Sequence, residues 1–230
     1  MDAEEVVAWA PGLRVLAEAG PAAWIETTLA AAPPGTVAAM VPSVFAAYAR
    51  VLPPTYAPDD EARHRWSEIA ASRGVTLGED VRFDDLVAGD GRWGRPSDGG
   101  LDARETALLS DVLARFTDTP EEAFFCLWEG FGLDETEAWK DRSTRVRAPH
   151  RNYHLLSGPV SAAASLPDPI EWRCASLWWP ADRSWLVATD IDGYLTYVGG
   201  PGAAIEALVE HEDLDVVPVH EWTPLDPSYG

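Results

Sequence analysis

Lysine is almost missing from this 230-residue chain. Of its 17 basic residues only Lys140 is a lysine; the rest are arginine. With abundant alanine, proline and glycine, this reflects a GC-rich coding sequence rather than any chemistry. Positive charge as a whole is scarce: 38 aspartates and glutamates leave a net charge of −21. So negative a chain repels phosphate backbones, which argues against direct nucleic-acid binding and against an anionic membrane surface. The charge serves solubility, and it would draw a basic protein partner. Cysteine is nearly absent too. Cys126 and Cys174 are too few for a disulfide scaffold or a zinc cluster, and they suit a reducing compartment. No uninterrupted apolar run approaches a membrane span. The opening "MDAEEVVAWAPG" has acids where a signal peptide needs bases, and Pro11 breaks its apolar stretch. These absences predict a cytoplasmic protein with no resident metal or cofactor.

What remains is ordinary globular composition, 47% hydrophobic and 24% charged, in a chain long enough to bury a core without staples. Residues 1–87 read as mainly helical. "LRVLAEAG" ends in Gly20, "PAAWIETTLAAA" starts at Pro21, and "PSVFAAYARVL" places Val44, Phe45, Tyr48 and Val51 or Leu52 at helical spacing. "DDEARHRWSEIAASRG" has an aspartate cap, an apolar stripe of Trp66, Ile69 and Ala70, and a stop at Gly74. Residues 88–101 are rich in glycine, proline and aspartate and read as a linker. In 102–230, Asp102 and Glu105 resemble a capping box before a helix. Strands then follow: "AFFCLWEG", "NYHLLSG", the "SLWW"/"SWLVATDI" hairpin around "PADR", and "YLTYVGG". A late helix, "PGAAIEALVEH", precedes "LDVVPVHEW", an edge strand because Pro218 cannot donate to a ladder. Helices first, then a mainly antiparallel sheet with one late helix, is the α+β class.

"VATDIDGYLT" (187–196) resembles the Asp-x-Asp-Gly-Thr-Leu motif of the haloacid-dehalogenase-like phosphatases. The resemblance implies Asp190 as nucleophile and Asp192 as general acid, with Mg²⁺ on the first. Three features oppose it. Tyr194 fills the motif's small hydroxyl position, the motif comes late in the chain, and no lysine follows it. A hairpin explains the same letters, with Asp192-Gly193 at a two-residue turn in which both residues take positive φ. Ile191 then faces Tyr194, Thr189 faces Thr196 and Val187 faces Val198.

Other constellations are weaker. "VGGPGAAIEAL" is a glycine-rich turn before a helix, read as backbone freedom at Gly199, Gly200 and Gly202 rather than an anion cradle. His150 and His154 lie four apart, but in extended chain that spans roughly 13 Å, too far for one metal. "KDRSTRVRAPHR" gathers Lys140, Arg142, Arg145, Arg147 and Arg151, fit for a phosphate or an acidic partner but expected to pair with the chain's own carboxylates. Among 11 tryptophans, adjacent Trp178 and Trp179 must point to opposite sheet faces. One of them is therefore exposed unless both faces are covered.

The blocks "VPSVFAAYARVL", "FFCLWEGFG", "NYHLLSGP" and "LWWPADRSWLVATDID…YVGG" together resemble a widespread actinobacterial protein family with no known activity. The resemblance implies a bacterial cytosolic setting and makes the phosphatase motif a coincidence. The resulting expectation is a non-enzymatic protein-binding or regulatory protein, of an immunity-like kind, engaging its partner through Trp178, Trp179, Arg183, Arg147 and Arg151. The alternatives are the Mg²⁺-dependent phosphatase using Asp190 and Asp192, and a small-molecule binder between the helical and sheet halves.

Overall fold

The computed structural model describes residues 12–57, 60–131, 143–148, 151–166 and 174–225. The chain folds as α+β around an antiparallel sheet. In order the elements are β1 (Arg14–Val15), α1 (Ala23–Ala30), β2 (Ala47–Leu52), β3 (Thr55–Ala57), β4 (Asp60–His64), α2 (Trp66–Arg73), α3 (Phe83–Leu86) and α4 (Ala103–Leu113). There follow β5 (Ala123–Trp128), β6 (Arg145–Ala148), β7 (Arg151–Gly158), β8 (Leu177–Pro180), β9 (Leu186–Thr189), β10 (Thr196–Gly200), α5 (Gly202–Val209) and β11 (Asp215–Val219). The main sheet runs β1-β7-β5-β8-β9-β10-β2-β11, with β6 also on β7. β3 and β4 form a separate hairpin.

Both faces of the sheet are buried. Phe125, Leu127, Trp178, Val187 and Val198 face one core, under α4, α5 and the 3₁₀ turn at 160–165. Phe124, Cys126, Trp179, Ala188 and Tyr197 face the other, with residues of α1, α2 and α3. Antiparallel sheets commonly leave one face to water. This one does not, so "AFFCLW" is apolar at every position.

Double coverage also accounts for the misread helix at 42–52. Residues 48–52 of β2 are all buried, so the polar–apolar alternation of a half-exposed strand is absent. Arg50 sits among them, its Nη2 donating to the Gly78 and Val81 carbonyls at 3.0 and 2.7 Å. β2 lies inside the sheet, between β10 and β11. Two other helical expectations also give way. Residues 14–15 pair with β7, and Gly20 opens a 3₁₀ turn rather than closing a helix. Residues 60–64 are strand, and α2 begins only at Trp66, where Glu68 accepts the Arg65 N–H at 3.0 Å.

The late helix, β5, β7 and the edge position of β11 are as expected. Asp102 caps α4, accepting from the amides of Arg104 and Glu105 at 2.9 and 3.0 Å. Glu105 does not complete the capping box. It is buried and pairs with Arg63 of β4. Residues 88–100 are irregular but docked: the Gly94 N–H reaches the Tyr56 carbonyl, and the Gly99 N–H reaches the Gly193 carbonyl at 2.8 Å. Gly199 and Gly200 belong to β10, and none of Gly199, Gly200 and Gly202 has positive φ. Gly199 is needed for close approach instead: a Cβ there would sit 2.5 Å from Phe45 and Val41 side-chain atoms.

Both edges of the sheet are protected against further pairing. β11 carries Pro218 on one edge. On the other, β1 and β6 share the outer side of β7, joined by the Thr144 N–H donating to the Leu16 carbonyl at 2.8 Å. There the Glu26 carboxylate of α1 accepts the Arg147 N–H at 2.7 Å.

Candidate functional site

β9 and β10 pair in the expected register, Thr189 with Thr196 and Val187 with Val198. The tip differs from expectation. Neither Asp192 nor Gly193 has positive φ, so the two-residue turn does not form. The ladder stops at Thr189 and Thr196, and residues 190–193 make the turn: the Gly193 N–H donates to the Asp190 carbonyl at 3.2 Å. Asp190 then shapes the turn with its side chain, Oδ1 accepting the Asp192 N–H at 3.1 Å. The hydroxyls of Thr189 and Thr196 are buried and 2.6 Å apart.

β7 brings a guanidinium to this turn. One nitrogen, Arg151 Nη2, donates to Asp190 Oδ1 at 2.8 Å and to Asp192 Oδ2 at 2.5 Å. The guanidinium carbon stands 5.5 Å from the Trp128 ring centroid at the end of β5. Burial works to lower the Arg151 pKa, but the two carboxylates outweigh it and raise it above its ordinary value. Beside it, burial pushes the Tyr153 hydroxyl well up. The basic residue that a phosphoryl-transfer site needs near Asp190 is therefore present. Its geometry, however, ties both aspartates into a clasp between β7 and the hairpin, and Asp190 Oδ1 already accepts two donors. Among the described residues no three His, Cys, Asp or Glu side chains are grouped to hold a metal ion.

The other site residues scatter. Trp178 and Trp179 are 3% and 0% exposed, one in each core, so neither offers a binding surface on the folded chain. The expectation of an exposed member fails because helices and loops cover both sheet faces. Arg183 is exposed in the β8–β9 turn at φ 58°, its guanidinium 5.5 Å from the Trp24 ring. Arg147 is exposed on β6. Arg145 pairs with Glu129 at 3.2 Å, and Asn152 donates to the same carboxylate at 2.7 Å. His154 is buried in β7. Lys140, Arg142, His150 and Trp172 lie outside the described residues. A cavity of ≈ 20 Å³ is lined by residues including Thr106, Cys174, Trp178 and Thr189. It has room for about one water, not an organic ligand.

One aromatic escaped the sequence reading. Trp222 is 66% exposed and stacks on His220, ring centroids 4.6 Å apart and planes 5° apart. In the sequence it closes the expected strand "LDVVPVHEW", with polar His220, Glu221 and Thr223 around it; in the structure β11 stops at Val219, which leaves Trp222 in the turn beyond. Comparison with models of known protein families, with curated proteins and with solved structures gave no match.

Proposed function

We propose that this is a non-enzymatic protein-binding or regulatory protein whose partner presents a basic surface; neutralisation of a toxin belongs to this class of role. The observation that carries the reading is how the charges are used. Arginines turn onto the chain's own acceptors: Arg50 on carbonyls, Arg63 on Glu105, Arg92 on Asp90, Arg145 on Glu129, Arg151 on Asp190 and Asp192. Carboxylate pairs such as Glu79-Asp80, Asp84-Asp85 and Glu121-Glu122 stay exposed. The surface so left attracts cationic proteins and repels nucleic acids. Two free, buried thiols and the lack, among described residues, of a helix long and apolar enough to cross a membrane fit a cytosolic setting.

Among the described residues, Arg151 beside two carboxylates is the feature that favours a Mg²⁺-dependent phosphatase, and the clasp geometry weighs against it. Asp190 Oδ1 is taken by the guanidinium and by the amide of its own turn, so a nucleophilic Asp190 would have to attack through Oδ2 while its carboxylate still holds the turn. The two readings separate in one set of measurements. Affinity purification from the native host without crosslinking is expected to yield a basic partner that dissociates as salt rises from about 0.05 to about 0.5 M. The binding reading fails if the complex carries no basic partner and the pure protein hydrolyses aryl phosphates with Mg²⁺ in a manner abolished by Asp190→Asn.

A further inference from the structure

The turn that follows β11 holds Trp222 rigidly in water. The Thr223 N–H donates to the His220 carbonyl at 3.0 Å, and the His220 N–H donates back to Thr223 Oγ1 at 2.9 Å. The turn is fastened from outside as well. The Ala38 N–H reaches the Glu221 carbonyl at 2.8 Å, the Val37 N–H reaches the Thr223 carbonyl at 3.0 Å, and the Leu225 N–H reaches the Gly35 carbonyl at 3.0 Å. Thr223 is buried beneath, so the backbone is fixed while the indole projects. His220 covers one ring face; the other is left to solvent.

Acidic residues lie in and near this turn. Glu221 precedes Trp222 with its carboxylate at the Tyr48 hydroxyl, and Thr223 Oγ1 lies 3.5 Å from Glu79 Oε2. Glu79 opens an acidic stretch with Asp80, Asp84 and Asp85, all exposed, against Arg82 alone. Arg50 pins this stretch to the sheet through the Gly78 and Val81 carbonyls. A fixed indole face beside carboxylates is the arrangement that binds an organic cation, since ring quadrupole and carboxylates attract the same charge. A rigid ring also loses little freedom on binding.

We infer that Trp222 is the contact by which this protein takes an arginine- or lysine-bearing segment of its partner, the side-chain cation lying on the open indole face with Glu221 and Glu79 beside it. The inference rests on the basic-partner reading. Arginine is the preferred cation, because its planar guanidinium stacks on the ring and forks onto carboxylates.

The test titrates full-length protein with oligoarginine and oligolysine peptides by calorimetry, with sedimentation to follow self-association. Wild type is expected to bind oligoarginine more tightly than oligolysine. Trp222→Ala is expected to weaken oligoarginine binding about 3- to 30-fold, and Trp222→Phe to keep part of the affinity. The ring is outside the core, so the melting temperature of both variants should match wild type. As a charge control, Glu121→Gln with Glu122→Gln removes two carboxylates at the start of β5, four strands from β2 in the sheet, and should weaken binding less. Equal losses in the control and Trp222→Ala would overturn the contact while leaving a basic partner standing. Failure of wild type to bind either peptide would remove the basic-partner reading and the contact with it. A dimer that Trp222→Ala dissociates would overturn the inference in favour of a second copy of this chain.

Discussion

Arg151 holds Asp190 and Asp192 through a single nitrogen, at 2.8 and 2.5 Å, with the Trp128 ring beneath its guanidinium. The β7 strand and the β9–β10 hairpin are not neighbours in the sheet; β5 and β8 lie between them. The clasp therefore ties down a turn that the ladder itself leaves free after Thr189. Replacing Arg151 by methionine keeps an apolar stem over Trp128 and removes both charged hydrogen bonds. The expected loss is about 1–2 kcal/mol, below the sum of two such bonds, because the Asp192 side chain is largely exposed and water screens it. Urea unfolding measures it. A double-mutant cycle with Asp190→Asn should show coupling. If Arg151→Met is as stable as wild type, Arg151 is free to serve a ligand and the clasp is not structural.

How much of this could be read from the letters depends on which faces are buried. The β9–β10 register was legible because Asp-Gly marks a reversal and the flanking β-branched residues fix the pairing. The turn's conformation was not, because Asp190 replaces the torsional solution with a side-chain one. α4 was legible from Asp102 and its 3.6-residue stripe. β2 was not: a strand buried on both faces shows no period of two, and Val44, Phe45, Tyr48 and Val51 happen to fall at helical spacing. The tryptophans' positions were illegible for the same reason. Counting aromatics cannot reveal that helices cover both sheet faces, so Trp178 and Trp179 looked like surface anchors and Trp222 was passed over.

Trp179 sits in the core with Trp24 and Phe124, ring centroids 6.1 and 5.8 Å away. Trp179→Ala should cost about 3–5 kcal/mol of stability, and any loss of partner binding should follow loss of folding. Trp179→Phe should cost less, about 1–2 kcal/mol, because the buried indole N–H that it removes has no acceptor. Denaturant titration of both variants checks this ordering. A folded Trp179→Ala protein with wild-type stability and impaired partner binding would restore Trp179 as a contact residue.

The two cysteines are free and buried. Burial pushes the Cys174 thiol up to about 12 from 9.0, and the Cys126 thiol higher still. Native protein at pH 8 should therefore react with a thiol reagent only as fast as it unfolds, and denatured protein should release both thiols at once. The same shift sets a stability trend. The folded state keeps its protons above pH 9.0 while the unfolded state gives them up, so stability is full below that pH and falls as pH rises towards about 12. Cys174→Ala should flatten that alkaline decline. Rapid labelling of Cys174 in native protein would instead mark an open path to the cavity beside it.

Glu26 and Arg147 meet at the exposed edge of the sheet, where the carboxylate accepts a backbone N–H at 2.7 Å that has no strand to pair with. A free edge amide in a regular strand invites another chain. Glu26→Ala should lose about 1–2 kcal/mol, as expected for a charged acceptor on a backbone donor, and should raise self-association with concentration in sedimentation velocity. Glu26→Gln keeps an acceptor of the same length and should restore most of both properties. The opposite edge serves as an internal comparison. Pro218→Val supplies the N–H that proline lacks, so it too should promote association, by opening β11 rather than β6. If Glu26→Ala stays monomeric at every concentration while Pro218→Val does not, the Glu26 contact anchors α1 and the edge of β6 is guarded by other means.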